Sequence, residues 1–225
     1  MSRRGNCSDS AGRILLASWL LVAVGLSMSA VPTRAEEGGF RNWVTLRDAG
    51  VVRQERDFSC GLAALATYLT YYLQYPVTEQ DLLTLLDLHG DDWALPVDWR
   101  EHGVSYAVLL QLAQQYGLEG VGMVVPAELL RSLSVPAIIR LEVHGVAHFS
   151  VLRGIDQAGR VQLADPSWGN HRMSQDAFLP LWLDPEHGGK SGTLMLFQPM
   201  AASALQPDAA YFGLDDRQPL LRPPA

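Results

Sequence analysis

One cysteine, Cys60, stands where the polar run Gln54-Glu55-Arg56-Asp57-Phe58-Ser59 turns into the apolar stretch Gly61-Leu62-Ala63-Ala64-Leu65. A thiol at the start of a helix faces backbone N–H groups without intrahelical partners and the positive end of the macrodipole, which together favour thiolate over thiol. Far downstream, His148 leads into Phe149-Ser150-Val151-Leu152, and Asp165 closes Val161-Gln162-Leu163-Ala164. A sulfur nucleophile, an imidazole that takes and returns its proton, and a carboxylate that holds the imidazole in one tautomer are the parts of covalent acyl transfer. Gln54 is a fourth candidate. From the loop before Cys60, its side-chain amide would join the Cys60 N–H in stabilising the charge on a tetrahedral intermediate.

Each of these residues also has a plainer reading. Cys60 would be a buried core thiol, His148 a core histidine bonded to a carbonyl, and Asp165, before Pro166, a turn former. Gln54 would simply be solvated. Asp156 and Asp176 are the substitutes for Asp165, but a hairpin turn and a helix first turn already explain them. His144-Gly145-Val146-Ala147-His148 has the spacing that puts two histidines on one helix face, so a zinc site with Cys60 or Asp165 is the alternative chemistry. Gly145 and the β-branched surroundings argue against that helix, and no metal is expected. No Gly-rich phosphate loop, CxxC pair or repeat is visible, so no cofactor is expected either. Among the tryptophans, Trp168 is assigned to the site.

The elements that must position these groups follow from periodicity. Apolar residues from Leu62 to Leu73 recur at helical spacing and predict a helix from Cys60 to Gln74, ended by Pro76. Thr78 with Asp81 resembles an N-cap and its acidic partner for a helix through Leu88, and Ser105 caps a third, Tyr106 to Tyr116, stopped by Gly117. The period then changes. Strands are predicted over 120–125, 137–143, 149–155, 161–164 and 193–197, with Asp156-Gln157-Ala158-Gly159 as a hairpin turn. Short helices are predicted over 127–133 and, capped by Ser174, over 175–182. Helices first and an antiparallel sheet afterwards make an α+β fold. A strand beginning at His148 and its hairpin partner ending at Asp165 bring both residues to one end of the sheet, where the Cys60 helix must abut it.

At 225 residues and 48% hydrophobic, the chain is long enough for one cored catalytic domain. Residues 1–35 read as a secretory signal peptide: Arg3, Arg4 and Arg13, an uncharged run from Ile14 to Val31, then Thr33 and Ala35 at the cut. The alternative is an uncleaved anchor. Residues 36–199 form the expected domain and 200–225 a loosely structured tail. Cleavage would remove Cys7 and leave Cys60 as a lone thiol in an oxidising compartment, a placement that needs a reason such as catalysis. Taking the leader's four arginines and one aspartate from 17 basic and 24 acidic residues leaves 13 against 23, a net charge near −10. Such a surface repels nucleic acid and anionic lipid, and tolerates a neutral or cationic peptide.

The pattern Gln54-x5-Cys60-Gly61-x-Ala63-Ala64, then Val135-Pro136-Ala137-Ile138-Ile139, His148-Phe149-x-Val151-Leu152-x-Gly154 and Asp165-Pro166-x-x-Gly169 resembles the bacteriocin-processing, double-glycine-leader cysteine peptidase family over roughly residues 50 to 185. The resemblance implies a papain-like fold, Cys60 as nucleophile, His148 as base, Asp165 as orienting acid and Gln54 as oxyanion donor. Familiar members are domains of ABC exporters, whereas this chain shows an export signal and no ATPase. It is more similar to stand-alone exported members, those of functional-amyloid secretion among them. The expectation is a periplasmic, monomeric cysteine endopeptidase that processes a secreted polypeptide, touching the membrane only if its leader is kept as an anchor. A peptide-binding domain without hydrolysis, and an amidase or acyl transferase acting on a cell-wall peptide, are the alternatives.

Overall fold

The computed structural model describes residues 42–200 and 205–213. The expected leader and its anchor alternative therefore lie outside the described residues.

Helix α1 (Trp43–Asp48) precedes α2 (Cys60–Thr67), which runs on as a π turn over Tyr68–Tyr72. Then come α3 (Glu79–His89), α4 (Trp99–His102) and α5 (Tyr106–Gln115). The sheet follows: β1 (Leu118–Pro126), β2 (Ala137–Val143), β3 (Val146–Ile155), β4 (Arg160–Asp165), β5 (Gly169–Ser174) and β6 (Ser191–Pro199), with α6 (Gln175–Trp182) between the last two. The strand order is β1-β6-β2-β3-β4-β5. Every neighbouring pair is antiparallel. The α+β expectation, N-terminal helices packed on an antiparallel sheet, is what the structure has.

Local signals act where they were expected. The Thr78 and Asp81 capping box is complete, Ser105 and Ser174 accept the N–H groups of Val108 and Ala177, and Gly117 takes the left-handed conformation after α5 (φ +73°). Other features depart from the expectation, beginning with the unexpected short helices α1 and α4. The helix from Cys60 closes at Tyr72, two residues early, through the bond from Leu73 N to Tyr68 O (3.1 Å). The segment 127–133 is only a 3₁₀ turn, Ala127–Ser132. A sixth strand, β5, arises from the polar sequence Gly-Asn-His-Arg-Met-Ser, which has no strand pattern of its own. It becomes a strand because β4 offers it a ladder, and α1 covers it: Asn170 Nδ2 donates to Leu46 O (3.3 Å).

Side-chain alternation splits the core between the two faces of the sheet. Ile138 and Val151 face α2, α3 and α5, with Leu62, Leu65, Leu69 and Leu109; their neighbours Ile139 and Leu152 face α6, with Leu163, Phe178 and Trp182. Every residue of α2 is buried. A helix apolar all round belongs inside, and this one carries Cys60 on a scaffold that cannot drift. Gly61 sets how closely it seats, since a Cβ there would lie 3.1 Å from Phe149 Cδ2 and from Val104 Cγ2. Gly61→Ala is expected to destabilise the protein by about 1–3 kcal/mol, measured as a lower urea midpoint, because two core side chains must yield.

Of the residues after β6, 205–213 are described, and they are held against β3. Buried Arg153 donates through Nε to Tyr211 O (2.9 Å) and through Nη2 to Gly213 O (3.1 Å), with its guanidinium 4.1 Å from the centre of the Tyr211 ring. Phe212 fills the space that a side chain on Gly154 would need (φ +146°).

Candidate active site

Cys60 opens α2 and is 8% exposed. Its preceding residue, Ser59, does not cap the helix. Ser59 Oγ donates to Arg56 O (2.8 Å) and accepts from Arg56 N (3.3 Å), so the first-turn N–H groups of α2 keep their capacity for another acceptor. The loop ahead of Cys60 is anchored by the buried Glu79, which accepts from Glu55 N (2.8 Å) and pairs with Arg56 Nη1 (3.0 Å).

His148 lies within β3, which begins at Val146 rather than at the histidine. The register Val151↔Ala164 places Asp165 one step further on, opposite Ser150, and His148 is the diagonal neighbour two residues along the same face. His148 Nε2 meets Asp165 Oδ2 at 2.8 Å. The imidazole also interacts with Cys60, and with Nε2 committed to Asp165 the nitrogen left for the sulfur is Nδ1. Thiol, imidazole and carboxylate, widely separated in sequence, form one continuous chain of contacts.

The electrostatics follow from those contacts. Burial opposes charge on His148, but the hydrogen bonds to Asp165 and to Cys60 outweigh it and push the imidazole from 6.5 up to about 10. Burial alone would raise the Asp165 carboxyl; the hydrogen bond and charge of His148, the nearby His171 and the N–H of Trp168 hold it below the usual carboxylate range. Asp165 is fully buried, and Oδ1 accepts from Ser167 N (2.8 Å) and Trp168 N (3.0 Å). The Trp168 ring lies beside the His148 ring, with centres 5.4 Å apart and planes tilted by 42°.

Gln54 sits beside this turn. Its N–H donates to Pro166 O (3.1 Å), its Oε1 accepts from Ser167 Oγ (2.7 Å) and its Nε2 donates to Arg56 O (3.0 Å), which leaves one amide hydrogen uncommitted among these bonds. Ser167, which sequence reasoning missed, therefore binds both Asp165 and Gln54, while Arg53 Nη2 donates to its carbonyl. The Asp-Pro-Ser pattern announces a turn and gives no sign that its serine reaches 113 residues back.

The substitute acids are elsewhere. Asp156 accepts from Arg160 N (2.8 Å) and Arg160 Nε (2.6 Å) at the opposite end of the β3–β4 hairpin, and Asp176 is exposed on α6. His144 and Gly145 are the two central residues of the β2–β3 turn, both at positive φ (+52° and +78°), so His144 and His148 share no helix face.

A helix-borne thiol, a strand-borne imidazole and an acid at the end of the next strand, on helices packed against an antiparallel sheet, define the papain-like class of architecture. Residues 48–184 match the Peptidase C39 family, and the chain belongs to it. It is 34% identical over 136 residues to the probable functional amyloid protease FapD of Pseudomonas aeruginosa strain PAO1, and 30% identical over 136 residues to the protein of the same name from Pseudomonas fluorescens. Each alignment covers 60% of this chain, which spans only 58% of each relative. Among solved structures, the peptidase domain of Streptococcus ComA, a bifunctional ABC transporter of a quorum-sensing pathway, shares the fold with a TM-score of 0.52 and 18% identity over 67% of this chain and 98% of that domain.

Proposed function

We propose that this chain is an exported cysteine endopeptidase that processes a secreted polypeptide through Cys60, His148 and Asp165, with Gln54 as oxyanion donor. The observation that carries the reading is the placement of His148 between Asp165 and Cys60. Cys60 Sγ attacks the carbonyl carbon of the scissile peptide, and the carbonyl oxygen takes up the charge in reach of the Cys60 N–H and the Gln54 amide. His148 passes its proton to the leaving amine as the C–N bond breaks, giving a thioester. Water, deprotonated by His148, then releases the acid and restores the thiol.

The leader pattern of residues 1–35 supports a periplasmic site of action, with retention as an inner-membrane anchor as the alternative that an intact mass of the exported protein separates. Two relatives bear the name functional amyloid protease, which supports an amyloid-forming secreted polypeptide as the client. Purified exported protein, incubated with secreted polypeptides encoded beside its gene, is expected to produce discrete new N-termini, and prior alkylation of Cys60 is expected to block them. Intact clients, together with a thiol-directed acylating probe that leaves Cys60 unmarked, would refute the reading.

A further inference from the structure

Cys60 lines a cleft of about 330 Å³ between the α4–α5 connection and the sheet. Its wall includes Tyr106 and Phe149, packed edge to face with ring centres 5.0 Å apart, together with His102, Ala147 and Arg140. The lining contains no aspartate or glutamate, although the chain as a whole has 24 acidic against 17 basic residues. Arg140 is the one side chain of this lining that carries a fixed charge, with Glu142 beside Arg140 and Asp98 beside His102 just outside it.

Arg140 is the arginine of that wall, and it also borders a second cavity lined by Glu142 and Asp184, so its half-exposed side chain is shared between the two. It stands on β2 opposite Phe149, and the next residue pair along is Leu141 and His148, so a rigid ladder sets its position relative to the imidazole. Among the described residues its ion pair is with Glu142, Nη2 to Oε2 at 3.8 Å, the side chains being 48% and 50% exposed. Asp184 feels its charge at longer range. A long, half-solvated pair of this kind is weak, and a carboxylate reaching the cleft displaces it readily. The guanidinium fork suits a carboxylate better than any neutral group, and an apolar wall beside it strengthens the contact.

Resting on the peptidase reading above, we propose that Arg140 is a specificity-determining residue whose guanidinium takes the side-chain carboxylate of an Asp or Glu close to the cleaved bond. The general acidity of the surface repels such substrates, while the one place where the bond is cut attracts them. Preference is thereby concentrated at the cleft.

The test uses the exported protein, Arg140→Gln and Arg140→Glu on an equimolar library of C-terminally amidated 14-residue peptides, with cut sites read by mass spectrometry. Amidation removes the terminal carboxylate as a competing source. The wild type is expected to enrich Asp and Glu about tenfold at one fixed position within about three residues of the cut, a ratio typical of a hydrogen bond to a charged group. Arg140→Gln should lose that enrichment and Arg140→Glu should replace it with Lys and Arg. No acidic enrichment in the wild type, or enrichment that survives Arg140→Gln, overturns the proposal.

Should no library peptide be cut, alkylation of Cys60 by the α-amides of N-iodoacetyl-glutamate and N-iodoacetyl-glutamine, which differ only in the side-chain carboxylate, decides instead. The ratio of the two rates should fall about tenfold from wild type to Arg140→Gln, and an unchanged ratio overturns the proposal. A Cys60 that reacts with neither reagent in the wild type refutes the peptidase reading itself, and this inference with it.

Discussion

Cys60→Ala is expected to abolish client cleavage, with a loss on the order of 10⁴-fold or more, and to remove all labelling by a thiol-directed acylating probe. In the proposed mechanism the sulfur is the atom that becomes acylated, so no neighbour substitutes for it. Cys60→Ser should be equally inactive, because a hydroxyl is a far weaker acid than a thiol and the same imidazole does not ionise it. For the histidine, His148→Gln is the better variant than His148→Ala. Truncation would leave the fully buried Asp165 without its cation, a defect of about 3–5 kcal/mol that confuses lost chemistry with lost folding. His148→Gln retains an amide donor for Asp165 and removes the proton carrier, and it should match Cys60→Ala in cleavage while keeping a cooperative urea transition. Cleavage retained in either variant would end the thiol mechanism; far-ultraviolet circular dichroism and urea unfolding separate that from a folding defect.

Asp165→Asn should reduce kcat/KM by about 10²- to 10⁴-fold and flatten the dependence of stability on pH. The backbone N–H groups of Ser167 and Trp168 hold Oδ1, so the new amide nitrogen must occupy the Oδ2 position facing His148 Nε2. Nε2 of the neutral ring then becomes an acceptor, the proton moves to Nδ1, and the nitrogen facing Cys60 has no lone pair to offer. The pH signature has a definite sign. His148 is raised from 6.5 to about 10 in the folded protein, so its contribution to stability is full below about 6.5 and is lost as pH rises through about 10. Asp165 is lowered, so its contribution is present above the ordinary carboxylate value of 3.8 and is lost as pH falls through the folded value. Urea midpoints of the wild type should therefore decline from neutral pH towards pH 10 and again in acid. Removing the Asp165 charge should weaken the alkaline decline and erase its own part of the acid one. Identical pH profiles in wild type and variant would show that the contact does not govern the ionisation of His148.

The parts of this protein legible from residues alone are those set by short-range chemistry. A threonine three residues before an aspartate, serines ahead of apolar runs and a glycine past a helix end act through bonds within one turn, and each is found in place. The His148 and Asp165 pairing was also within reach, because a hairpin turn at Asp156–Gly159 brings the two strands together and their ends with them. The strand β5 was not legible. Its residues are polar, and only the exposed ladder of β4 and the cover of α1 make an extended conformation favourable there. The same holds for the segment at Tyr211, whose order comes from Arg153 on a distant strand.

Gln54 shows the boundary within a single residue. Its type and its place before Cys60 mark it as a donor of the right kind, but whether the amide is solvated or held depends on Ser167, which belongs to the turn after β4. By itself the order of residues determined which groups were capable of the chemistry and which local elements carry them. Tertiary structure alone decided that Ser167 joins Asp165 to Gln54 and that Arg140 flanks the cleft, because contacts between distant segments depend on how whole layers pack.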